Sequence, residues 1–230
     1  MPVEFLSAEQ KAQYGQFCGE PNEVQLARYF HLDATDLDFI LKRRGNQNRL
    51  GFALQITSVR FLGSFLPHFE SLPNNVLLFV ARQLSIENVS VIEEYAQRET
   101  TKREHTALIR QYYSYHEFND SPWAFKLSRL LFARAWVNNE RPSLMFDFAT
   151  SWLIQNKVLL PGVTTLVRLI RIVEFEKFLK RSLVANHCLL FPHSTQEHKQ
   201  MLEQAQIDLN PSECVICVSD RLFWPFPKCL

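Results

Sequence analysis

The chain has 230 residues, 47% of them hydrophobic and 21% charged, with a formal net charge of +1. That balance excludes a disordered or single-signed chain and allows one large domain or two or three small ones. Met1-Pro2-Val3-Glu4 is not a charged leader ahead of an apolar run, no apolar stretch is long enough for a bilayer, and the five cysteines are odd in number, so the expectation is a cytoplasmic protein.

Helical signals dominate in chain order. Ser7 with Gln10 reads as a capping box that opens a short helix, and Gly15 and Gly19-Glu20-Pro21 break it. A helix over Asn22 to Phe30 follows, with Val24, Ala27, Tyr29 and Phe30 at helical spacing. His31-Leu32-Asp33 makes a tight turn, and Asp33 or Thr35 can cap the next helix, whose inner stripe is Leu37, Ile40 and Leu41. Gly45 is placed just past its end. A longer helix is expected from Asn46 to Gly63, with Leu50, Leu54, Thr57 and Phe61 inward and with Arg49 and Arg60 sharing another face. Pro67 and Pro73 mark a connection. Beyond Tyr115, helices are expected from Pro122 to about Asn138, from Arg141-Pro142 through Trp152, and from Val163 to about Leu183. The last is amphipathic, with Leu166, Ile170 and Val173 on one face and Arg168, Arg171, Lys177, Lys180 and Arg181 as its basic residues. A membrane-surface or calmodulin-target helix is one reading of it; a helix packed on one side and wet on the other is the plainer one. From about Ala185 the periodicity fades into a stretch punctuated by Pro and Cys.

The pattern restarts after Pro73. Shifted by 54 positions, Ala27-Arg28 falls on Ala81-Arg82, Leu32-Asp33 on Ile86-Glu87, Leu37 on Val91, Arg44 on Arg98, Arg49 on Arg103 and Ala53-Leu54 on Ala107-Leu108, without a gap. The matched arginines point to a duplicated unit rather than to two unrelated hairpins. Leu26 to Phe30, a short turn plugged by Leu32, and Thr35 to Arg44 have the arrangement of a helix–turn–helix, with the small Ala27 where two helices cross. The stretch Phe39 to Phe61 carries Lys42, Arg43, Arg44, Arg49 and Arg60 and no acid, a local footprint for phosphate within a nearly neutral chain. The expected DNA-binding set is therefore Lys42, Arg43, Arg44, Asn46, Asn48, Arg49, Gln55 and Arg60 in the first copy. In the second it is Arg98, Thr100, Thr101, Lys102, Arg103, His105 and Arg110. Cations at the helix ends suit phosphate, whereas Asn and Arg are able to read base edges. Solvated charge on ordinary helices is the competing reading.

Catalytic patterns are scarce. Cys214-Val215-Ile216-Cys217 is one C-x-x-C pair where structural zinc needs four ligands, and Cys229, His193 and His198 complete it only by force. Phosphate-binding glycine loops are missing. Asp33, Asp36 and Asp38 open a helix, where its dipole favours acids, so a metal site there is the weaker reading. No catalytic residue, metal site or cofactor is expected in this chain, and no small-molecule substrate.

Met1-Pro2-Val3-Glu4-Phe5-Leu6, Gln25-Leu26-Ala27-Arg28-Tyr29-Phe30-His31-Leu32, Asn48-Arg49-Leu50-Gly51-Phe52-Ala53-Leu54-Gln55, Ala133-Arg134-Ala135-Trp136 and Lys157-Val158-Leu159-Leu160-Pro161-Gly162 form a series of motifs over about residues 1 to 180. In that order they resemble the N-terminal region of Tn-3 family transposases. The resemblance implies an all-α fold of tandem helix–turn–helix modules of the CENP-B type followed by a helical connector. It also implies binding to the double-stranded terminal inverted repeats of a transposon, in a bacterial, nucleoid-associated setting. Magnesium and the RNase H-like catalytic centre belong to a separate C-terminal part of the family. The tail after about Gln204 departs from the family, which suggests a chain cut short.

The expected division is a first module over 1–68, a second over 69–120, a connector over 121–184 and an irregular tail over 185–230. Two other readings stay open: a helical interaction or scaffold piece without specific DNA binding, and an enzyme in its own right.

Overall fold

The computed structural model describes residues 5–137 and 140–174; the tail over 185–230, with four of the five cysteines, and Lys177, Lys180 and Arg181 lie outside them. Contacts gather Met1–Val173 into one compact unit. Apart from an isolated parallel bridge between His116 and Val158, every regular element among the described residues is helical, so the protein is all-α.

The first helices start where side chains satisfy their open amides. α1 (Ala8–Gln13) has the expected Ser7–Gln10 capping box. α2 (Glu23–Tyr29) is boxed by Asn22 and Gln25, and α3 (Ala34–Leu41) by Asp33 and Asp36, so Asp33 rather than Thr35 is the cap. α4 (Asn46–Leu62) follows, with Gly45 at its N-cap at φ 80°. Gly45 thus supplies the left-handed corner ahead of α4, while α3 has already ended at Lys42. α5 (Asn74–Gln83), α6 (Val91–Ala96) and α7 (Glu99–Tyr113) complete the first part. The order α2–α3–α4 and the order α5–α6–α7 lie at about the 54-residue offset read from the sequence.

α4 is the axle of this part. Every residue from Leu50 to Val59 is buried, where the periodicity had assigned it one inner face. A helix buried all round must be apolar or self-satisfied. Thr57 Oγ1 donates to the carbonyl of Ala53 at 3.0 Å, and Gln55 exchanges two 2.9 Å hydrogen bonds with the backbone of Leu66. Gly51 lets α6 come close: a Cβ there would stand 2.2 Å from the Tyr95 ring. Around α4 a single apolar cluster runs from Phe30 through Leu54 and Val80 to Ile109, so the side chains on either side of residue 68 share one core.

Two inner stripes differ from their sequence reading. Val24 is 75% exposed and Ala27 is exposed as well, so no close helix crossing forms at Ala27; Phe30 and Leu32 carry the burial instead. In α3, Leu41 is exposed while Asp36, Phe39 and Ile40 are buried. α3 meets α4 at both of its ends, with Asp36 on Arg60 and Phe39 on Phe52, 5.1 Å between ring centroids.

A second apolar cluster unites α8 (Trp123–Val137), α9 (Pro142–Gln155) and α10 (residues 163–174). α8 begins one residue after Pro122, which was expected to be its first helical residue. Leu127, Leu131 and Ala135 of α8 face Met145, Ala149 and Leu153 of α9, and the expected stripe Leu166, Ile170 and Val173 is buried. Leu6 belongs to this cluster, and Tyr14 packs on Phe146 at 5.3 Å, so these two residues lie with the connector. Leu160 N donates to Gly63 O at 2.9 Å, and Leu159 N to His116 O at 2.9 Å, which stitches the two clusters together.

Candidate nucleic-acid interface

The corner between α3 and α4 concentrates charge. Lys42 caps α3, and Arg43, Arg44 and Arg49 follow within eight residues of chain. Lys42 and Arg44 are exposed, and among the described residues no hydrogen bond or ion pair engages either side chain. Arg43 is half-buried; its guanidinium lies over the rings of Phe39 and Phe52, 5.5 and 5.3 Å from their centroids, and its Nε has no partner. Arg49 turns back: Nε donates to Arg43 O at 3.0 Å and Nη2 to Leu41 O at 3.4 Å. It closes the carboxyl end of α3, where open carbonyls favour a cation. Asn48 Nδ2 donates to Arg44 O at 2.8 Å, which leaves its Oδ1 without a partner. Asn46 is exposed beside it. The first turn of α4 has neither an acid nor a side-chain cap, so its amides remain open for an anion.

Arg60 is placed differently from expectation. Its guanidinium forks onto the buried Asp36 carboxylate at 2.8 and 2.5 Å, and Tyr113 Oη donates to the same carboxylate at 2.5 Å. Burial alone would raise the Asp36 pKa, but the hydrogen bonds from Arg60 and Tyr113 outweigh it and hold the carboxyl below its ordinary value. Burial and the bond to Asp36 push the Tyr113 phenol up. Arg49 and Arg60 do share a face, as their spacing requires, but it is the face turned to the two ends of α3. Among the described residues no cluster of His, Cys, Asp and Glu could hold a metal ion, the Asp33–Asp38 stretch included.

The second corner, between α6 and α7, is mixed in sign. Arg98 lies 3.8 Å from Glu94, and Arg110 pairs with Glu117 at 2.7 Å. Thr100 and Arg103 are exposed, and Thr101 is half-buried. Thr100, Arg103, Ala107 and Gln111 form an exposed stripe along α7.

Three expected contacts are internal, which corrects their reading as DNA-facing groups. Gln55 is fully buried on Leu66. Lys102 is 7% exposed and bonds Glu99 and Pro67 O. His105 is buried, edge-on to Phe52 at 4.8 Å and 3.1 Å from Tyr95 Oη. Desolvation, then the charge of Arg43, pushes the His105 pKa down to about 4, so it is neutral near pH 7. Polar type and helical spacing do not separate such groups from surface ones; only the packing of α6 over α4 does. Sequence reasoning also passed over Tyr113 and the partnership of Asp36 with Arg60, for which an acid at the third position of α3 was the available signal.

α4 and α7 run parallel, since Phe52 meets His105 and Arg60 meets Tyr113 at nearly constant offset. The amino ends of both helices therefore open toward the same side of this part.

A family model described as "Domain of unknown function (DUF4158)" matches residues 5–173. The chain belongs to that family. It is also homologous to Tn-3 family transposases. It is 64% identical over 170 residues to the transposase for transposon gamma-delta of Escherichia coli (strain K12), which is 74% of this chain and 17% of that protein. It is 30% identical over 210 residues to the transposase for transposon Tn1546 of Enterococcus faecium, covering 91% of this chain and 20% of the relative. The transposase for transposon Tn501 of Pseudomonas aeruginosa is 32% identical over 147 residues, 64% of this chain and 15% of its own length. The chain thus spans about a fifth or less of these relatives and matches only their N-terminal part, outside a catalytic domain. No helix among the described residues is long and apolar enough to cross a membrane.

Proposed function

We propose that this chain binds the terminal inverted-repeat DNA of its transposon and performs no strand chemistry itself. The observation that carries this reading is the α3–α4 corner. Four cations lie within residues 42–49, no acid occurs from Phe39 to Phe61, and two of the four side chains, Lys42 and Arg44, are exposed and unengaged among the described residues. In a chain of net charge +1 that is a local attractor for a phosphate backbone.

The two helical triplets at a 54-residue offset support a tandem helix–turn–helix reading, with one restriction. Because α4 is buried from Leu50 to Val59, only its first turn, Asn46 to Arg49, is free to approach a groove. Asn46, exposed in that turn, is the side chain placed to read a base edge, while Lys42 and Arg44 hold phosphates; Asn48 is turned back onto Arg44 O with its Oδ1 buried. Arg49 supports the corner from within and acts on DNA through its shape. In the second copy Thr100, Ala107 and Gln111 of the exposed α7 stripe take the groove-facing role. A nucleoid-associated location follows from the same reading.

Footprinting of the purified chain on the inverted repeat nearest its gene tests this. Protection of the repeat that weakens in Lys42→Ala/Arg44→Ala is expected. Absence of any protection at low salt would leave a helical scaffold piece as the better account, and metal-dependent nicking would contradict the non-catalytic reading.

A further inference from the structure

Basic residues outside the α3–α4 corner converge on one groove. α1, α7 and the start of α10 meet around two adjoining cavities of 540 and 240 Å³, which share Lys11 and Val163 in their walls. Lys102 and Arg103 line the larger cavity, and Arg168 and Arg171 line the smaller. Among the described residues that line the two cavities Glu99 is the one carboxylate, and it pairs with Lys102 at 2.5 Å. Arg168 and Arg171 are three residues apart and so neighbours on one face of α10, while Leu166, Ile170 and Val173 bury the opposite face. Of the described basic residues of α10, Arg168 is exposed and Arg171 half-buried, and both border the cavity that Lys11 of α1 also lines.

We propose that this groove holds one phosphodiester strand of duplex DNA, so that α10, with α1 and α7, forms a backbone clamp separate from the α3–α4 corner. The proposal rests on the DNA-binding reading above. Cavities of this size admit a phosphate ribbon and exclude a whole duplex. A single-stranded occupant fits less well, because such sites stack bases on free aromatic faces. Here the Tyr14 ring packs on Phe146 at 5.3 Å and the Phe65 ring meets Tyr115 at 6.5 Å. The groove would thus hold register on the DNA without reading its sequence.

The test is a salt series of binding to a duplex bearing the terminal inverted repeat, comparing the whole chain with R103A/R168A/R171A, R103K/R168K/R171K and K42A/R44A. The alanine triple is expected to bind about 10- to 100-fold more weakly at low salt, with a log–log salt slope shallower by about 2 to 3, given about 0.9 per phosphate contact. The lysine triple should stay within about threefold of wild type, since charge is kept. Circular dichroism checks folding, and R168A/R171A replaces the alanine triple if its helical signal falls. An alanine triple that binds like wild type while K42A/R44A weakens overturns the clamp and leaves the DNA-binding reading standing. Wild-type chain that binds no duplex overturns both. A triple that loses single-stranded DNA more than duplex overturns the duplex-backbone assignment.

Discussion

The two helical triplets share an order and an offset, yet they use their long helices in opposite ways. α4 is enclosed from Leu50 to Val59 and offers only its first turn; α7 keeps the exposed stripe Thr100, Arg103, Ala107 and Gln111. The corner before α4 carries four cations and no acid, whereas the arginines around α7 are interleaved with Glu94, Glu99 and Glu117. One pair of offset-matched positions lies in this shared core. Gly51 and His105 stand 54 residues apart, and both touch Tyr95: the glycine admits its ring, and the histidine meets its hydroxyl at 3.1 Å. The two triplets pack into one core, and that packing makes one of the two long helices interior.

The largest expected effect breaks the junction between the halves. Arg60→Ala would leave the Asp36 carboxylate buried with only Tyr113 and the Asp33 amide, and should cost about 3–5 kcal/mol in denaturant unfolding. A variant as stable as wild type would show that this network does not join α3, α4 and α7. The pH dependence is next. His105 falls from its ordinary 6.5 to about 4 in the folded chain, so between those values the unfolded chain binds the extra proton. Stability should therefore rise with pH across that window, by on the order of 3 kcal/mol, with Arg43 and Tyr95 as the groups facing the ring. His105→Gln should flatten the profile there. Asp36 acts in a lower window: its pKa is held below 3.8, so the stability it contributes is present above that value and is lost as pH falls through the folded-state pKa.

Gly51→Ala sets a Cβ against the Tyr95 ring and should destabilise by about 1–3 kcal/mol, since a ring packed in a closed core yields little. A neutral result in thermal unfolding would mean that α6 can slide off α4. The comparison of the two corners as binding surfaces is sharpened by equilibrium titration on inverted-repeat DNA. Lys42→Ala/Arg44→Ala should weaken binding about tenfold or more at low salt. The smallest change is expected for Arg98→Ala, under about threefold, because Glu94 already offsets that charge. Equal losses at the two corners would show that the acids of the second copy do not matter.

Much of this was legible from local chemistry. The capping box at Ser7, the cap at Asp33, the span of α4, the apolar face of α10 and the 54-residue offset follow from spacing and side-chain type, which act within a few residues of chain. The basic stretch ahead of α4 was legible for the same reason. What the sequence could not assign was the destination of each polar side chain. Gln55, Lys102 and His105 look like surface groups, but each finds a partner at Leu66, Pro67 and Tyr95, residues that only the fold brings near.

By itself, then, the sequence determined that the chain is helical, where its helices begin, which pattern repeats and where its charge gathers. Tertiary structure alone decided that α4 is interior, that Arg49 and Arg60 clasp the ends of α3, and that Arg103 shares a groove with Lys11, Arg168 and Arg171. The physical reason is range. Capping and periodicity are settled by neighbours within one helix, whereas burial, ion pairing and a common groove depend on contacts across turns and between elements, from Arg49 with Leu41, eight positions apart, to residues more than a hundred positions apart.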